Sequence, residues 1–271
     1  MMNTLVNKYI ALAVRVHETA LDLSRSFQFD KTDPWHRDII TLYGSILELH
    51  GSICILVREK NWTGIPILLR SIVEAHLDLN NLAQDRAYGD RMRASELKEW
   101  IKVLKSAKTG NNPFLSDLAK GDDIEDELSV RQKEFDKLKT AGHAPLHPHE
   151  KFVSAHLTQV YESVYNLLCC EAHNNLQALT SRHVRIRPDE SDFDIEYYAP
   201  VNDQSLLFNL DCLCYASIYA TEIIHKALDM LQPCFIGALK SELDNLRTEY
   251  KAEQRDTSNS HSPSAQGADG R

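Results

Sequence analysis

Apolar residues recur at three- and four-residue spacing along almost the whole chain, and that period predicts helices. Leu5 to Phe27 forms a first amphipathic stretch. Asp33-Pro34 opens a second, with Asp33 at the N-cap and Pro34 at the first helical position, where a missing N–H costs nothing; it runs to about Glu59. Asn61 to Gly64 reads as a turn, with Thr63 or Gly64 capping a third helix that tolerates Pro66 in its first turn, so the second and third helices form an antiparallel hairpin. Tyr88 to Lys108 and Ile124 to Thr140 are more charged, with narrower apolar faces, and read as a solvent-exposed arm over residues 88–141. The turns Gly110-Asn-Asn-Pro113 and Gly121-Asp-Asp separate them. Gly142 to His149 reads as a stiff loop, because Pro145 and Pro148 fix their own φ and restrict the residues before them. A long helix from about Phe152 to Thr180 follows. His183 to Arg187 and Phe193 to Tyr198 alternate with period two around Pro188-Asp-Glu-Ser-Asp, the pattern of a β-hairpin within residues 182–199. Gln204 to Leu231 is the last core helix, and Pro233 starts a further one to about Ala252. Residues 253–271 are rich in Ser, Gly and Asp without apolar period and are expected to be disordered. The expected fold is all-α: an up-and-down helical bundle of about seven to eight helices in a single domain, residues 1–252, with one small β-hairpin insertion.

Composition narrows function by exclusion. The chain has 271 residues, 43% hydrophobic and 25% charged, as an ordinary globular protein does. A formal net charge of −9 argues against a general nucleic-acid coat or a binder of anionic membranes. Six cysteines (Cys54, Cys169, Cys170, Cys212, Cys214, Cys234) form no CxxC pair and sit in apolar helical surroundings, so they read as reduced core residues of a cytoplasmic protein. The most apolar stretch, Leu206 to Ile224, is broken by Asp211 and Glu222; it reads as a buried helix, and no membrane partner is expected.

Four constellations carry candidate chemistry. The first is Arg70, Glu74 and His76, planted in an apolar helix, where an unpaired buried charge costs several kcal/mol. Arg70 and Glu74 lie one turn apart, so a local ion pair is available. The second is Glu171-Ala-His173-Asn174-Asn175. It is not a metal pattern, because residues two apart on a helix point away from each other, but His173 could face Arg70 or Glu74 across the core, with Asn174 or Asn175 orienting it or meeting a ligand. The third is His143, His147 and His149, whose spacing permits a zinc loop with His156 as a fourth ligand; a proline-shaped connector is the simpler reading, and no metal or cofactor is expected. The fourth is the basic strand Arg182 to Arg187, which places His183, Arg185 and Arg187 on one face. That face could contact phosphates, although Asp194 and Glu196 can neutralise it across the hairpin, which is the simpler outcome. The candidate ligand-binding set is therefore Glu171, Asn174, Asn175, Arg182 and Arg185.

The segment Leu47 to Asp85, with its helix hairpin, Trp62 turn and Leu68-Leu-Arg70-Ser-Ile-Val-Glu74, together with Tyr165-Asn-Leu-Leu-Cys-Cys-Glu-Ala-His173 and the following hairpin, resembles an uncharacterised family of bacterial proteins, domain of unknown function 5677, over residues 35–230. That label implies no activity. A second resemblance, to the all-α HEPN superfamily, rests on Arg70-Ser-Ile-Val-Glu-Ala-His76, which fits that superfamily's Arg-x4-6-His motif. It implies a metal-independent endoribonuclease or toxin-like protein of stress or phage defence, acting on RNA as a homodimer. His76 would be the general base on the ribose 2'-hydroxyl, Arg70 would stabilise charge on the phosphate, and Glu74 or His173 would support them. Ser71 departs from the Asn or Asp that usually follows the motif arginine in active members. The alternative is a non-enzymatic module in which Arg70, Glu74, His173 and Asn175 recognise a small ligand. In a third reading those groups form an internal network and the 88–141 arm recruits a protein partner.

Overall fold

The computed structural model describes residues 4–119, 123–189, 192–198, 200–231 and 233–260. It is all-α with one small antiparallel hairpin, as the apolar period predicts. The helices are α1 (Thr4–Ser24), α2 (Pro34–Arg58), α3 (Gly64–Gln84), α4 (Tyr88–Lys108), α5 (Ser116–Ala119), α6 (Ile124–Thr140), α7 (Pro148–Ser154), α8 (Thr158–Val160), α9 (Asn166–Ala172), α10 (Leu176–His183), α11 (Asp203–Ala227) and α12 (Cys234–Ser260). A 3-10 turn, Pro113–Leu115, precedes α5, and a π-helical turn, Tyr161–Tyr165, joins α8 to α9. Strands β1 (Val184–Ile186) and β2 (Phe193–Ile195) pair with Val184 opposite Ile195 and Ile186 opposite Phe193. The start of α2 follows its local chemistry: the Asp33 carboxylate accepts the Trp35 amide at 2.9 Å, with Pro34 at the first helical position.

Four expectations need correction. The long helix expected over Phe152 to Thr180 is four short helical pieces and a π turn. His156 and Asn174 break it with φ of +58° and +51°, and the Asn175 side chain restarts the chain as α10 by accepting the Ala178 amide at 2.9 Å. The apolar spacing of Phe152, Val160, Val164, Leu168 and Leu176 spans those breaks in steps of four and eight residues and hides them. Second, Pro148 does not extend the stiff loop but occupies the first position of α7, with His147 as N-cap. Third, His183 closes α10 instead of opening β1. Fourth, α12 continues through residues expected to be disordered, as far as Ser260; residues 261–271 lie outside the described residues.

The chain divides into two compact units. The first comprises the described residues of Met1–Gln28, Ser45–Val73 and Leu167–Arg271, and the second Phe29–Gly44 and Glu74–Asn166. In the first, Leu5, Leu12 and Val16 of α1 are buried along Leu206, Leu210 and Leu213 of α11, and α12 closes over both helices. Lys8 and Arg15 of α1 pair with Glu249 and Glu242 of α12. The centre of this unit holds a polar relay: fully buried His50 of α2 meets Ser217 of α11 through Nδ1 at 2.7 Å and the Ala13 carbonyl of α1 through Nε2 at 2.9 Å. By length and composition both α2 and α11 are apolar enough to cross a bilayer, α2 being one that the run of apolar residues alone did not flag. In this structure 33% of the apolar window of α2 and 56% of that of α11 is buried, and the His50–Ser217 contact joins the two helices.

In the second unit, α4 lies against α6, with Arg93 donating to both carboxylate oxygens of Glu134 at 2.8 and 3.0 Å. The Trp35 indole N–H donates to the Leu82 carbonyl at 2.8 Å. Asp78 of α3 is the hub. Its carboxylate accepts the Tyr88 hydroxyl at 2.5 Å and the Lys151 ammonium at 2.9 and 3.0 Å, so α4 and α7 both anchor on α3. Burial, and then the Asp78 charge, push the Tyr88 phenol upward, which keeps it a donor. Removing the carboxylate strands a half-buried ammonium and a buried hydroxyl. Asp78→Ala is therefore expected to lower unfolding free energy by about 2 kcal/mol in urea titrations, and Asp78→Asn to recover part of it.

Candidate functional site

Within the first unit, α1, the Trp62 turn, α9, α10, the hairpin, α11 and α12 surround a cleft of about 1230 Å³. Two helices begin on it. Asn175 caps α10, and Asn202 caps α11 by accepting the Gln204 and Ser205 amides at 2.7 and 3.3 Å. Each asparagine spends its side-chain oxygen on its own helix, so the group it offers a ligand is the NH2 donor. The positive ends of both helix dipoles add to that donor field.

Three arginines on the wall are held in place by oxygens. Arg182 donates through Nη2 to Asn174 Oδ1 at 2.7 Å, and its Nε lies 3.6 Å from Glu171. Arg185 donates to the carbonyls of Ser181 and Val184, both at 3.0 Å, and faces Glu196 at 3.0 Å. Arg247 of α12 forms a two-pronged pair with Asp211 of α11, at 2.7 and 2.9 Å, and the same carboxylate accepts the Tyr9 hydroxyl at 3.2 Å. Burial first, and Asp211 next, push the Tyr9 phenol upward, so it remains a proton donor at neutral pH. Lys251 adds a fourth cation, while Trp62, Phe208 and Tyr250 supply flat apolar wall.

The structure gathers most of the ligand-binding candidates here: Glu171, Asn175, Arg182 and Arg185 line the cleft, and Asn174 stands behind Arg182. The cross-strand neutralisation also forms, with Arg187 on Asp194 at 2.8 Å beside the Arg185–Glu196 pair. The proposed catalytic residues do not line the cleft. Arg70 donates through Nε to Cys169 Sγ at 3.3 Å, and Glu74 accepts the Tyr165 hydroxyl at 2.8 Å. His76 is buried, with 8% of its surface exposed. His173, which could have faced Arg70 or Glu74 across the core, is exposed, because α9 ends at Ala172 and the chain turns through Asn174.

The histidine loop is dispersed: His143 lies 3.6 Å from Asp90, the His149 ring packs edge-on against Tyr161, and the His147 amide donates to Glu150. Among the described residues no group of three or more His, Cys, Asp or Glu is placed to hold a metal ion. Cys54, Cys169, Cys170, Cys212 and Cys214 are free thiols. Burial pushes Cys54 up to about 11 and Cys212 up to about 12, which leaves both protonated and slow to react at neutral pH.

Sequence reasoning missed Tyr9, Phe208, Arg247 and Lys251, because they reach the cleft from helices far apart in the chain, and Trp62, which reaches it from the turn before α3. Asp211 was the one available signal. It is an acid interrupting an otherwise apolar helix, and such a residue needs a cation somewhere in the fold.

No curated protein matches this chain, and no solved structure does. A family model does match, over residues 37–192 of the 271, which takes in α2 to β1 and so includes Glu171, Asn175, Arg182 and Arg185 but leaves out Tyr9, Asp211 and Arg247. The chain thus belongs to the family described as a family of unknown function, DUF5677.

Proposed function

We propose that the first unit is a non-enzymatic binding module for an organic anion with a flat apolar body and a charged end, the chemistry of a nucleotide. One observation carries this reading. In a chain of formal net charge −9, the cleft wall gathers Arg182, Arg185, Arg247 and Lys251 with Glu171 and Asp211, while Glu196 and Asp244, which pair with Arg185 and Arg247, stand outside the wall. Cations concentrated in a concave, partly apolar site attract anions more strongly than the same charges spread over a convex surface. Trp62, Phe208 and Tyr250 offer faces for a planar group, and stacking on such faces is worth about 1–3 kcal/mol per base. Existing contacts already orient the three arginines, which reduces the ordering cost of binding. Six cysteines without a CxxC pair in apolar helical surroundings support a cytoplasmic location as part of this reading.

The test is a titration of the full chain with adenosine monophosphate and with a labelled single-stranded RNA of about eight nucleotides, a length matched to grooves of this kind. Arg182→Ala and Lys251→Ala are each expected to weaken binding about tenfold, close to 1.4 kcal/mol, with a further loss at raised salt. Absence of binding by both probes defeats the reading. The endoribonuclease alternative asks His76 to reach a ribose hydroxyl, and its 8% exposure favours binding without chemistry. Incubating the same RNA in EDTA decides between them: cleavage by wild type that is lost in folded Arg70→Ala and His76→Ala would replace the binding module with a metal-independent ribonuclease.

A further inference from the structure

The cationic nitrogens left over on the cleft wall fall into two groups. Every nitrogen of Arg247 is engaged: Nε and Nη2 donate to Asp211, and Nη1 lies 3.4 Å from Asp244. Arg182 uses Nε on the Ala178 carbonyl and Nη2 on Asn174, and Arg185 uses Nε on Glu196 and Nη1 on the Ser181 and Val184 carbonyls. Arg182 Nη1 and Arg185 Nη2 therefore have no hydrogen-bond partner among the described residues, and an anion can be bound there without breaking the contacts that hold either side chain. The other group is Lys251 of α12, which lines the cleft and whose ammonium makes no ion pair or hydrogen bond among the described residues.

The two groups hold different places in the fold. α12 runs antiparallel to α11, pairing Lys240 with Glu222 and Arg247 with Asp211, so Lys251 lies one turn beyond Arg247 toward the start of α11. Arg182 and Arg185 stand at the junction of α10 and β1. The cleft is larger than one small ligand needs, about 1230 Å³ against roughly 300–1000 Å³ for the site of a drug-sized molecule. Its flat apolar wall is divided too, with Trp62 on the turn before α3, Phe208 on α11 and Tyr250 on α12. We infer, on the basis of the binding function proposed above, that the cleft holds two phosphates at separate positions, one at Arg182 and Arg185 and the other at Lys251, and that its ligand is a dinucleotide. Linking the phosphates makes capture of the second one intramolecular, so the pair binds more tightly than either alone.

The test is equilibrium dialysis of the full chain against adenosine monophosphate, adenosine diphosphate and the 5'-phosphorylated dinucleotide pApA. Two molecules of the monophosphate per chain are expected, one at each position, but only one of pApA, held at least about tenfold more tightly. The diphosphate carries its second phosphate directly on the first, and is expected to gain no more than a few-fold over the monophosphate. Arg182→Ala and Lys251→Ala act on different phosphates, so on pApA their losses are expected to multiply, to about a hundredfold in the double variant, with unchanged circular dichroism. A single monophosphate per chain, a diphosphate as tight as pApA, or a double variant no weaker than either single variant overturns the two-position inference while the nucleotide reading stands. Should none of the three ligands bind, the proposed binding function itself fails and the inference with it.

Discussion

His50→Ala is expected to lower the unfolding free energy by about 3–5 kcal/mol, a large share of the roughly 5–15 kcal/mol that holds a typical domain folded. Two losses add. The first is volume: His50 is fully buried between α1, α2 and α11, so truncation leaves a cavity that surrounding side chains fill only in part. The second is polar. The Ala13 carbonyl can only accept, so Nε2 carries the ring proton, and Nδ1 must then accept from the Ser217 hydroxyl. Without the ring, that fully buried hydroxyl loses its acceptor, which costs about 1–3 kcal/mol beyond the lost contact. A urea titration of His50→Ala, Ser217→Ala and the double variant separates the two. The double variant should be less destabilised than the sum of the singles, because Ser217→Ala removes the stranded group. Strict additivity would show that the relay is not a relay.

The second large effect is acid sensitivity above the carboxylate range. Burial, aided by the neighbouring His17 ring 5.4 Å away, drives His50 down to about 3, far below the roughly 6.5 it has in an unfolded chain. His17 is shifted in the same direction, also by burial. Between those limits the unfolded chain binds a proton that the folded chain refuses. Stability therefore rises with pH across this window and falls as pH drops below about 6.5, by up to about 1.4 kcal/mol per pH unit for His50 alone. The carboxylates held low by hydrogen bonds, such as Glu134 on Arg93, act in the same sense but only nearer pH 4. Comparing unfolding at about pH 7.5 and about pH 5 isolates the histidine contribution. Wild type should lose roughly 2 kcal/mol, and His50→Gln, which cannot take up the proton, should lose much less. Equal wild-type stability at the two pH values would refute the assignment.

Helical period proved sufficient for the elements whose packing is continuous. Tyr88–Lys108 and Ile124–Thr140 have the expected bounds, and the Asp33-Pro34 start of α2 is capped as its residues dictate. Period failed where the chain breaks without losing its apolar rhythm. His156 and Asn174 take left-handed conformations that neither glycine nor proline announces, and so the stretch from α7 to α10 looked like one helix. The same limit applies to sites. Glu171, Asn175, Arg182 and Arg185 are near neighbours in sequence and could be grouped by eye, whereas Tyr9, Asp211 and Arg247 meet only because α1, α11 and α12 pack together. His50 illustrates a different failure. It falls on the stripe Tyr43, Ile46, Ile53, Val57, all buried, and its spacing alone marks it as a core histidine, yet an isolated imidazole among apolar residues carries no hint of its partners.

That single ring also gives the core a natural spectroscopic reporter. Because Nε2 must hold its proton against the Ala13 carbonyl with no path to solvent, the imidazole N–H can exchange with water only when α1 lifts from α2. Its nuclear magnetic resonance signal, with the matching nitrogen shifts of one fixed tautomer, would time that opening from within the unmodified protein. Its lifetime would show whether α1, which also brings Tyr9 to the cleft, detaches by itself or only when the whole first unit unfolds.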